Sequence, residues 1–429
     1  MVIILTLIPL IGVFGTGIYV YYNGVVWQEP VMMLIYWFLS GMGITMGYHR
    51  LFSHKAYKTN SFVEWILMIF GSTALENTIL KWASDHRRHH TKAETEDDPY
   101  SITKGFWHAH IGWIVKNVPE GKTRVRGVKD LEKKSAIRFQ NKYYYHIGII
   151  VGFLIPLAIG FLYGRPLGAL LWAGFLRLAI VHHATFFINS LCHYFGQRTY
   201  DFKSTARDSW IVSWFTFGEG YHNYHHKFQW DYRNGVKWFA YDPSKWIINS
   251  LSFFGITYDL KKVKEHVIMQ NNFNSIKTQL TEKFAKSAES CKVFYQHKVE
   301  QLHDKADRIF ISWDEMELRY IKLVASGKAK NKALLKELKN ERRQYKLQLN
   351  NIKRNLNAIM FNVQKNRLNP DIESMEGAAV FQVCENFGVS CVQIRSISNK
   401  VEVRNKENWN LDLAIFNLNK KVEKYIDSL

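Results

Sequence analysis

Apolar residues are concentrated in the first half of the chain, where long apolar runs are separated by polar segments. A helix needs about 20 residues to cross a bilayer, and four runs come near that length: 2–22, 31–48, 147–163 and 166–190. The first run has neither a basic start nor a small-residue cleavage site, so we interpret it as a retained span and not as a signal peptide. Residues 61–79 are apolar but include Glu64, Glu76 and Asn77, which favours an interfacial or partly buried helix. The pattern predicts an all-α membrane protein with four transmembrane helices.

Basic residues are distributed unevenly around the predicted spans. The short connections 23–29 and 164–166 contain one basic residue, Arg165, whereas 49–146 and the chain after His193 are rich in Lys and Arg. The positive-inside rule places the basic segments in the cytoplasm, and we expect a multi-pass protein of the bacterial inner membrane. The net charge of +20 is explained by this topology and by contact with the lipid bilayer, so we expect no nucleic-acid partner.

Histidines are clustered on that same predicted face. Eight of them form three groups: His49 and His54; His86, His89 and His90; and His222, His225 and His226. The last two groups have the pattern H-x-x-H-H, which in a helix directs its histidines to one face. The first pair is five residues apart, which a regular helix does not align, so either the backbone bends there or the two rings serve different ions. Neutral imidazole suits iron, copper and zinc, and this number of rings fits two ions better than one.

Two acidic residues stand next to the histidine groups. Asp85 precedes His86, and Glu219 lies shortly before His222. Histidines that bind metals usually donate their other ring N–H to a carboxylate or carbonyl. We therefore expect Asp85 and Glu219 to accept hydrogen bonds from ligand rings.

Motifs for other redox groups are missing from the sequence. The four cysteines form no C-x-x-C pair, and the chain has neither C-P-x-x-C nor H-P-G-G. We therefore expect no zinc ribbon, iron–sulfur cluster, bound haem or bound flavin in this chain. Electrons, if the reaction needs them, must then come from a separate protein.

The composition changes near residue 259 from apolar to Lys, Glu, Asn and Gln. Apolar residues then recur at heptad spacing, interrupted by Arg342: Leu338, Tyr345, Leu349, Ile352, Leu356, Ile359 and Val363. This seam predicts a long helix within a polar helical extension over 266–370. The helix either packs on its own domain or pairs with a second copy, and a dedicated partner-binding site is the alternative.

Four stretches of the first 265 residues resemble the membrane fatty acid desaturases, and most closely the acyl-CoA Δ9 (stearoyl-CoA) desaturase family. They are Gly43-Ile-Thr-Met-Gly-Tyr-His-Arg-Leu-Phe-Ser-His54, Trp82-Ala-Ser-Asp-His-Arg-Arg-His-His90, Asn189-Ser-Leu-Cys-His193 and Gly218-Glu-Gly-Tyr-His-Asn-Tyr-His-His226. The resemblance implies a desaturase domain over 1–265, with a cytoplasmic helical cap that holds a histidine-rich di-iron site. It also implies a function: O₂ and two electrons remove two hydrogens from adjacent methylenes of a long acyl chain, most simply at Δ9 of an acyl-CoA, and leave a cis double bond. Because the predicted cytoplasmic face is basic, we expect the electron donor to be an acidic protein such as a ferredoxin, a flavodoxin or a cytochrome b5-like protein.

The same resemblance assigns site residues. The implied iron ligands add His193 to the eight clustered histidines: His49, His54, His86, His89, His90, His193, His222, His225 and His226, with Asn189 reaching the metal through water. The implied substrate channel involves Trp37, Gly41, Glu76, Asn77, Trp82, Asp85 and Thr185. The resemblance assigns the bend of the channel to a Gln, a Trp and a Thr; Trp82 and Thr185 match, but Glu76 stands in place of the Gln, so the double-bond position stays open. Ser84 stands where animal relatives have Arg, which weakens the case for CoA as the acyl carrier. His182 and His183 match no family ligand, and we expect a structural role for them.

The end of the chain resembles a different family. Met375-Glu-Gly-Ala-Ala-Val-Phe-Gln-Val-Cys384 and Val392-Gln-Ile-Arg-Ser-Ile-Ser-Asn399 resemble the C-terminal part of purine nucleosidase-like proteins such as futalosine hydrolase. That resemblance implies ribose contacts from Met375 and Glu376, but Asn399 replaces the general acid of related nucleosidases. Residues 371–429 are also too few to bury a core of their own. We expect a short α/β-like fragment without hydrolase activity.

Competing functions differ in observable ways. A membrane hydroxylase of similar histidine pattern, acting on alkanes or lipids, would yield an alcohol instead of an alkene. A desaturase for acyl-lipid or acyl carrier protein would differ only in its carrier. A non-catalytic metal- or lipid-binding protein would show no O₂ turnover, and a nucleosidase completed by another chain would release a base from futalosine.

Overall fold

A computed structural model describes residues 2–115, 125–285, 289–326 and 332–367. Its longer helices are α1 (Leu5–Asn23), α2 (Gln28–Ser53), α3 (Ser61–Ser72), α4 (Ile79–Lys92), α5 (Ser135–Leu162), α6 (Pro166–Tyr194), α7 (Trp210–Phe215), α8 (His222–Lys227), α9 (Pro243–Phe253), α10 (Glu265–Phe284), α11 (Glu289–Ala325) and α12 (Lys332–Arg367). Short helical segments occupy Ile102–Lys104, His108–Gly112, Trp113–Val115 and Lys129–Glu132. Two short strands, β1 (Lys58–Thr59) and β2 (Thr257–Tyr258), pair antiparallel.

Four helices, α1, α2, α5 and α6, are long and apolar enough to cross a membrane, which confirms the predicted set of spans. Three of them are longer than the apolar runs that predicted them, α2 and α5 by the most. Some polar residues of these two extensions are held inside the protein: Arg50 of α2 is 1% exposed and Gln140 of α5 is fully buried. The Gln140 amide donates to the hydroxyls of Tyr48 and Ser72 at 2.9 and 3.0 Å. Hydropathy underestimates such helices because it does not register polar groups that neighbouring elements satisfy.

The predicted fifth apolar helix is α3, and it is too short to span a bilayer. The Asn60 side chain caps its first turn by accepting from the Val63 amide. It packs closely on α2 at Gly43 and Gly71, where a Cβ on Gly43 would overlap the backbone of Gly71. The chain then turns through 73–78 and enters α4, which the Thr78 hydroxyl caps. This turn places Leu75, Glu76 and Asn77 at the cavity described below.

The chain divides into two compact units, Met1–Thr278 and Gln279–Leu429. The first unit contains the four spanning helices and a core built around the buried half of α2. α10 begins in this unit, where the Asn272 and Ser275 side chains donate to the backbone carbonyls of Thr199 and Arg198 at 2.7 Å each. The polar helix therefore packs on the first unit for at least ten residues beyond 265.

In the second unit, α11 and α12 pack against each other along the predicted heptad seam. Leu349 and Leu356 are fully buried there, and the Tyr345 ring stacks on Trp313 of α11 at 6.3 Å between centroids. The seam is thus covered by a neighbouring helix of the same chain, as expected for a helix that packs on its own domain. The predicted nucleosidase-like fragment, 371–429, lies outside the described residues.

Candidate metal centre

The carboxyl end of α2 departs from regular α-helix. Residues Gly43–Ser53 form a π-helix, and the His54 amide donates to the carbonyl of His49, five residues earlier, at 3.0 Å. A π-helix brings residues five apart onto nearly the same face, which an α-helix does not. The His49 and His54 rings consequently lie 4.7 Å apart between centroids. Of the two expectations for this pair, the bent backbone is the one observed, and both rings face the same place.

The two H-x-x-H-H motifs lie on α4 and α8, but neither directs its three rings to one point, contrary to the sequence prediction. The structure forms one group from His49, His54, His86, His90 and His225, and another from His89, His222 and His226. Each motif contributes its first and last histidines to one group and its middle histidine to the other. Residues i and i+4 of an α-helix point in similar directions, whereas i+3 diverges from i+4 by about 100°. The two helices therefore exchange one ring each between the groups.

Ring nitrogens converge within each group. All potential ligand atoms of a group lie within 4.8 Å of one another. The closest Nε2–Nε2 separations are 2.8 Å for His54–His86 and 2.9 Å for His90–His225 in the first group, and 3.0 Å for His222–His226 in the second.

Carboxylates lie next to the outer nitrogens of two of these rings. His89 Nδ1 is hydrogen-bonded to Asp98 at 2.8 Å, whereas His49 Nδ1 lies 2.9 Å from a Glu219 carboxylate oxygen as an ion-pair contact outside hydrogen-bond geometry. A ring that donates from Nδ1 to a carboxylate carries a lone pair on Nε2. Burial, together with the surrounding rings, lowers the pKa of His86 well below its usual value, which keeps that imidazole in its neutral, metal-binding form. Lone pairs facing one another at about 3 Å repel unless a cation lies between them, so this donor set fits two metal ions.

His193, which only the family resemblance proposed, lies next to the second group. Its ring centroid is 5.1 Å from that of His222 and 6.0 Å from that of His226. Its Nδ1 is 2.7 Å from the Thr205 hydroxyl, which in turn donates to Glu94 at 2.7 Å. This chain of contacts orients the His193 Nε2 lone pair in the same manner as Asp98 orients that of His89.

The carboxylates around the centre differ partly from those expected. Glu219 contacts His49 as predicted, and it also pairs with buried Arg50 at 2.9 Å. Asp85, predicted to do the same for a ligand ring, instead pairs with Lys81 at 2.7 Å and Arg88 at 2.8 Å. These cations lie four residues before it and three residues after it, on the same face of the helix. Sequence reasoning missed Asp98, which takes that role for His89. Its position nine residues after His89 carries no periodic signal, and the only clue is an acidic run within a basic loop.

An apolar cavity in the first unit reaches the histidine groups, and all seven residues predicted for the substrate channel line it: Trp37, Gly41, Glu76, Asn77, Trp82, Asp85 and Thr185. Asn189, His49, His86, His222 and His225 line it as well, so the cavity touches both groups. Near Gly41 the channel is bounded by Phe217, whose ring lies 4.7 Å from that of Trp37. A Cβ on Gly41 would overlap the Phe217 ring. Phe217, which the sequence did not suggest, thus fills the space that Gly41 leaves.

A buried carboxyl group lies partway along the cavity. Glu76 accepts hydrogen bonds from the Thr185 hydroxyl at 2.7 Å and the Trp82 indole at 3.4 Å. Burial raises the pKa of Glu76 to about 7. Glu76, Trp82 and Thr185 are the three positions that the resemblance assigned to the bend, and the structure connects them directly.

Three side chains, two from α6 and one from α5, contact the backbone of the turn that carries Glu76. Arg177 of α6, fully buried, donates to the Thr73 carbonyl at 2.7 Å, and the His182 ring lies 2.8 Å from the Ala74 carbonyl. The Tyr144 hydroxyl accepts from the Asn77 amide at 2.8 Å. These contacts hold a turn in which Leu75 and Asn77 have positive φ angles of 51° and 87°. The His182 contact agrees with the structural role expected for that residue.

Comparison with known proteins agrees with this geometry. The family model for fatty acid desaturases matches residues 26–254, more than half of the chain, and the chain belongs to that family. A probable acyl-CoA desaturase of Schizosaccharomyces pombe is 39% identical over 264 residues, which are 61% of this chain and 54% of that protein. Acyl-CoA desaturase 1 of Saccharomyces cerevisiae is 40% identical over 255 residues, 59% of this chain and 50% of that protein. The chain therefore spans about half the length of these two relatives.

A bacterial relative is covered more completely. An sn-1 stearoyl-lipid 9-desaturase of Anabaena variabilis is 35% identical over 231 residues, 55% of this chain and 83% of that protein. The model of the phosphorylase superfamily matches residues 362–427, a range that overlaps the segment predicted to be nucleosidase-like. Most of that range lies outside the described residues.

Proposed function

We propose that this protein is an O₂-dependent desaturase that inserts a cis double bond into a long fatty acyl chain, with two iron ions held by the nine histidines. The observation that carries the proposal is the meeting of two imidazole groups with an apolar channel whose lining matches every residue predicted for the acyl chain. The reaction removes one hydrogen from each of two neighbouring methylenes. Two electrons and two protons from outside then complete the reduction of O₂ to two water molecules.

The chain's own residues bind and orient the reactants. His49, His54, His86, His90 and His225 would hold one iron, and His89, His193, His222 and His226 the other. Asn189, which lines the same cavity, would act through water. Bound iron, together with O₂, supplies an oxidant able to break an unactivated C–H bond, which acid–base groups cannot do. Trp37 and Phe217 would stop the methyl end of the acyl chain, and so place a fixed pair of methylenes beside the imidazoles.

The substrate we favour is an acyl-CoA with reaction at Δ9. Two relatives at about 40% identity are named as acyl-CoA desaturases. An acyl-lipid is the second candidate, because the relative covered over 83% of its length is named as a stearoyl-lipid desaturase. Ser84, beside the channel residue Asp85, also provides no cation for a CoA phosphate.

We infer the surroundings of the site from charge and composition. The basic segments next to the spans support a position of the histidine centre on the cytoplasmic face, and the membrane we propose is a bacterial inner membrane. The same basic face would receive an acidic electron donor such as a ferredoxin, flavodoxin or cytochrome b5-like protein. We further propose that 1–265 form the desaturase domain, that 266–370 form a helical extension, and that 371–429 have no hydrolase activity.

Expression in a desaturase-deficient host tests the function. We expect a new monounsaturated fatty acid, and mass spectrometry of derivatised products should locate its double bond at carbon 9. The His89→Ala variant should form at least about a hundredfold less of this product, because it removes a ring nitrogen from the second group. The exposed His297→Ala variant is the matched control and should retain the product.

Three results would contradict the proposal. A hydroxylated product would identify a hydroxylase, and purified protein without iron would remove the proposed oxidant. Normal product from the His89→Ala variant would exclude His89 from the ligand set.

A further inference from the structure

Glu76 is an ionisable group inside a channel that we propose to be filled by hydrocarbon. Its carboxyl group accepts from two neutral donors, Thr185 and Trp82. Among the described residues, no lysine, arginine or histidine forms an ion pair with it. Its negative charge is therefore supported by two neutral contacts alone.

The two contacts satisfy a protonated Glu76 completely. The Trp82 indole N–H donates to Oε2, which is the carbonyl oxygen of the acid. The acid hydroxyl on Oε1 donates to the Thr185 hydroxyl, since either oxygen of that 2.7 Å pair can supply the hydrogen. A neutral Glu76 thus leaves no unpaired group facing the channel.

An ionised Glu76 has different requirements. A carboxylate offers about four acceptor sites, and the protein fills two of them, so water in the channel must supply the rest. A bound acyl chain displaces that water and leaves a partly unpaired charge against hydrocarbon. Burying such a partly unpaired charge is unfavourable, so a bound acyl chain disfavours the ionised acid.

The other ionisable groups near Glu76 provide no compensating cation. Tyr144 from α5 and Tyr48 from α2 lie close enough to sense its charge. His182 from α6 and Asp85 from α4 line the same cavity. The His182 ring contacts the Ala74 carbonyl, Arg177 donates to carbonyl and hydroxyl oxygens below the turn, and Asp85 has its own partners in Lys81 and Arg88.

We propose that Glu76 determines when the channel accepts substrate: a saturated acyl chain binds while Glu76 is protonated and is excluded when Glu76 is ionised. The inference rests on the proposed function, because it takes the cavity to be the acyl channel. Burial raises the pKa of this carboxyl to about 7, so the change falls within the range of cellular pH. Acyl affinity is then highest below pH 7 and decreases as the pH rises through that value.

Equilibrium binding of stearoyl-CoA to the full-length, metal-loaded protein in lipid nanodiscs tests the inference without turnover. If only the protonated form binds, the apparent Kd should increase about tenfold between about pH 6 and about pH 8. In the Glu76→Gln variant the amide reproduces both contacts of the protonated acid, donating to Thr185 and accepting from Trp82, but does not titrate. Its Kd should change less than twofold over the same interval.

The matched control is Glu96→Gln, which removes a carboxyl whose side chain is 87% exposed, and it should retain the tenfold change. An unchanged Kd in the unaltered protein would overturn the inference. So would an equal change in Glu76→Gln, or no binding at either pH. Failure of the proposed function is a separate outcome: pH-dependent binding would persist while no alkene forms in the host.

Discussion

The two units of this protein bury different kinds of side chain. The first unit buries Arg50 with the carboxylates of Glu219 and Asp242, and five of its nine clustered histidines are less than 9% exposed. In the second unit, the largest buried side chains of α11 and α12 include Trp313, Phe310 and Leu356.

This difference distinguishes side chains that are buried because burial stabilises the fold from side chains whose burial requires a functional reason. Burial of apolar surface is favourable by about 25 cal/mol per Å² and needs no polar partner. Stability alone therefore accounts for the buried apolar residues of the α12 seam. Buried charges and ring lone pairs are costly unless they are paired, so a region that collects them requires a further reason. In the first unit that reason is the capacity to hold metal beside a channel.

The largest effect is expected from removing a carboxylate that orients a ligand ring. Asp98→Asn keeps the size of the side chain but weakens its hold on the His89 Nδ1–H. Loss of such a contact typically lowers metal affinity by about 10- to 100-fold. Iron content after titration with a chelator, measured by elemental mass spectrometry, should show this loss.

The neighbouring Asp97→Asn variant is the control, because Asp97 is exposed. Equal iron retention in both variants would show that the buried Asp98 carboxylate does not contribute to iron binding through His89.

An intermediate effect is expected at the closed end of the channel. Phe217→Ala should open space beyond Trp37 and shift the preferred substrate to longer chains. Each further methylene buried is worth about 0.8 kcal/mol, or about fourfold in preference. Gly41→Val should act in the opposite sense, because the added side chain meets the Phe217 ring. Competition between acyl chains of 16, 18 and 20 carbons, analysed by gas chromatography, measures both changes.

Phe239→Ala is the control, because Phe239 is an aromatic residue that is 61% exposed. This variant should leave the chain-length preference unchanged. An unchanged chain-length preference in both the Phe217→Ala and Gly41→Val variants would show that the channel ends elsewhere.

The smallest effect on product is expected from the second unit. Leu356→Ala should destabilise the α11–α12 pair by about 2–5 kcal/mol, which hydrogen exchange over 332–367 would detect. Iron content and product should stay the same, because the seam contains none of the site residues. Arg319→Ala removes a surface ion pair with Glu341, and its cost should stay below about 1 kcal/mol. Loss of iron in Leu356→Ala would show that the two units are not separable in function.

Much of the fold follows from local pattern. The four spans are long apolar runs, and the α12 seam is a heptad that any single helix displays. The end of α2 and the start of α5 could not be predicted this way, because Arg50 and Gln140 have the polarity of loop residues. Only the tertiary structure supplies their partners, Glu219 and Asp242 for Arg50, and Tyr48 and Ser72 for Gln140. Local hydropathy reflects the free energy of transferring a residue into lipid. It does not include the hydrogen bonds and ion pairs that neighbouring elements provide.

The site shows the same division. Residue types and their spacing predict the chemistry: imidazoles in number sufficient for two ions, and a carboxyl group within the channel lining. The packing of distant segments establishes how these groups are shared. The π-helix aligns His49 with His54, α4 and α8 exchange one ring each between the two groups, and Asp98, Thr205 and Phe217 come from segments without periodic signals. The physical reason is that residue type fixes the donor atom, whereas helix phase and long-range packing fix where that atom points.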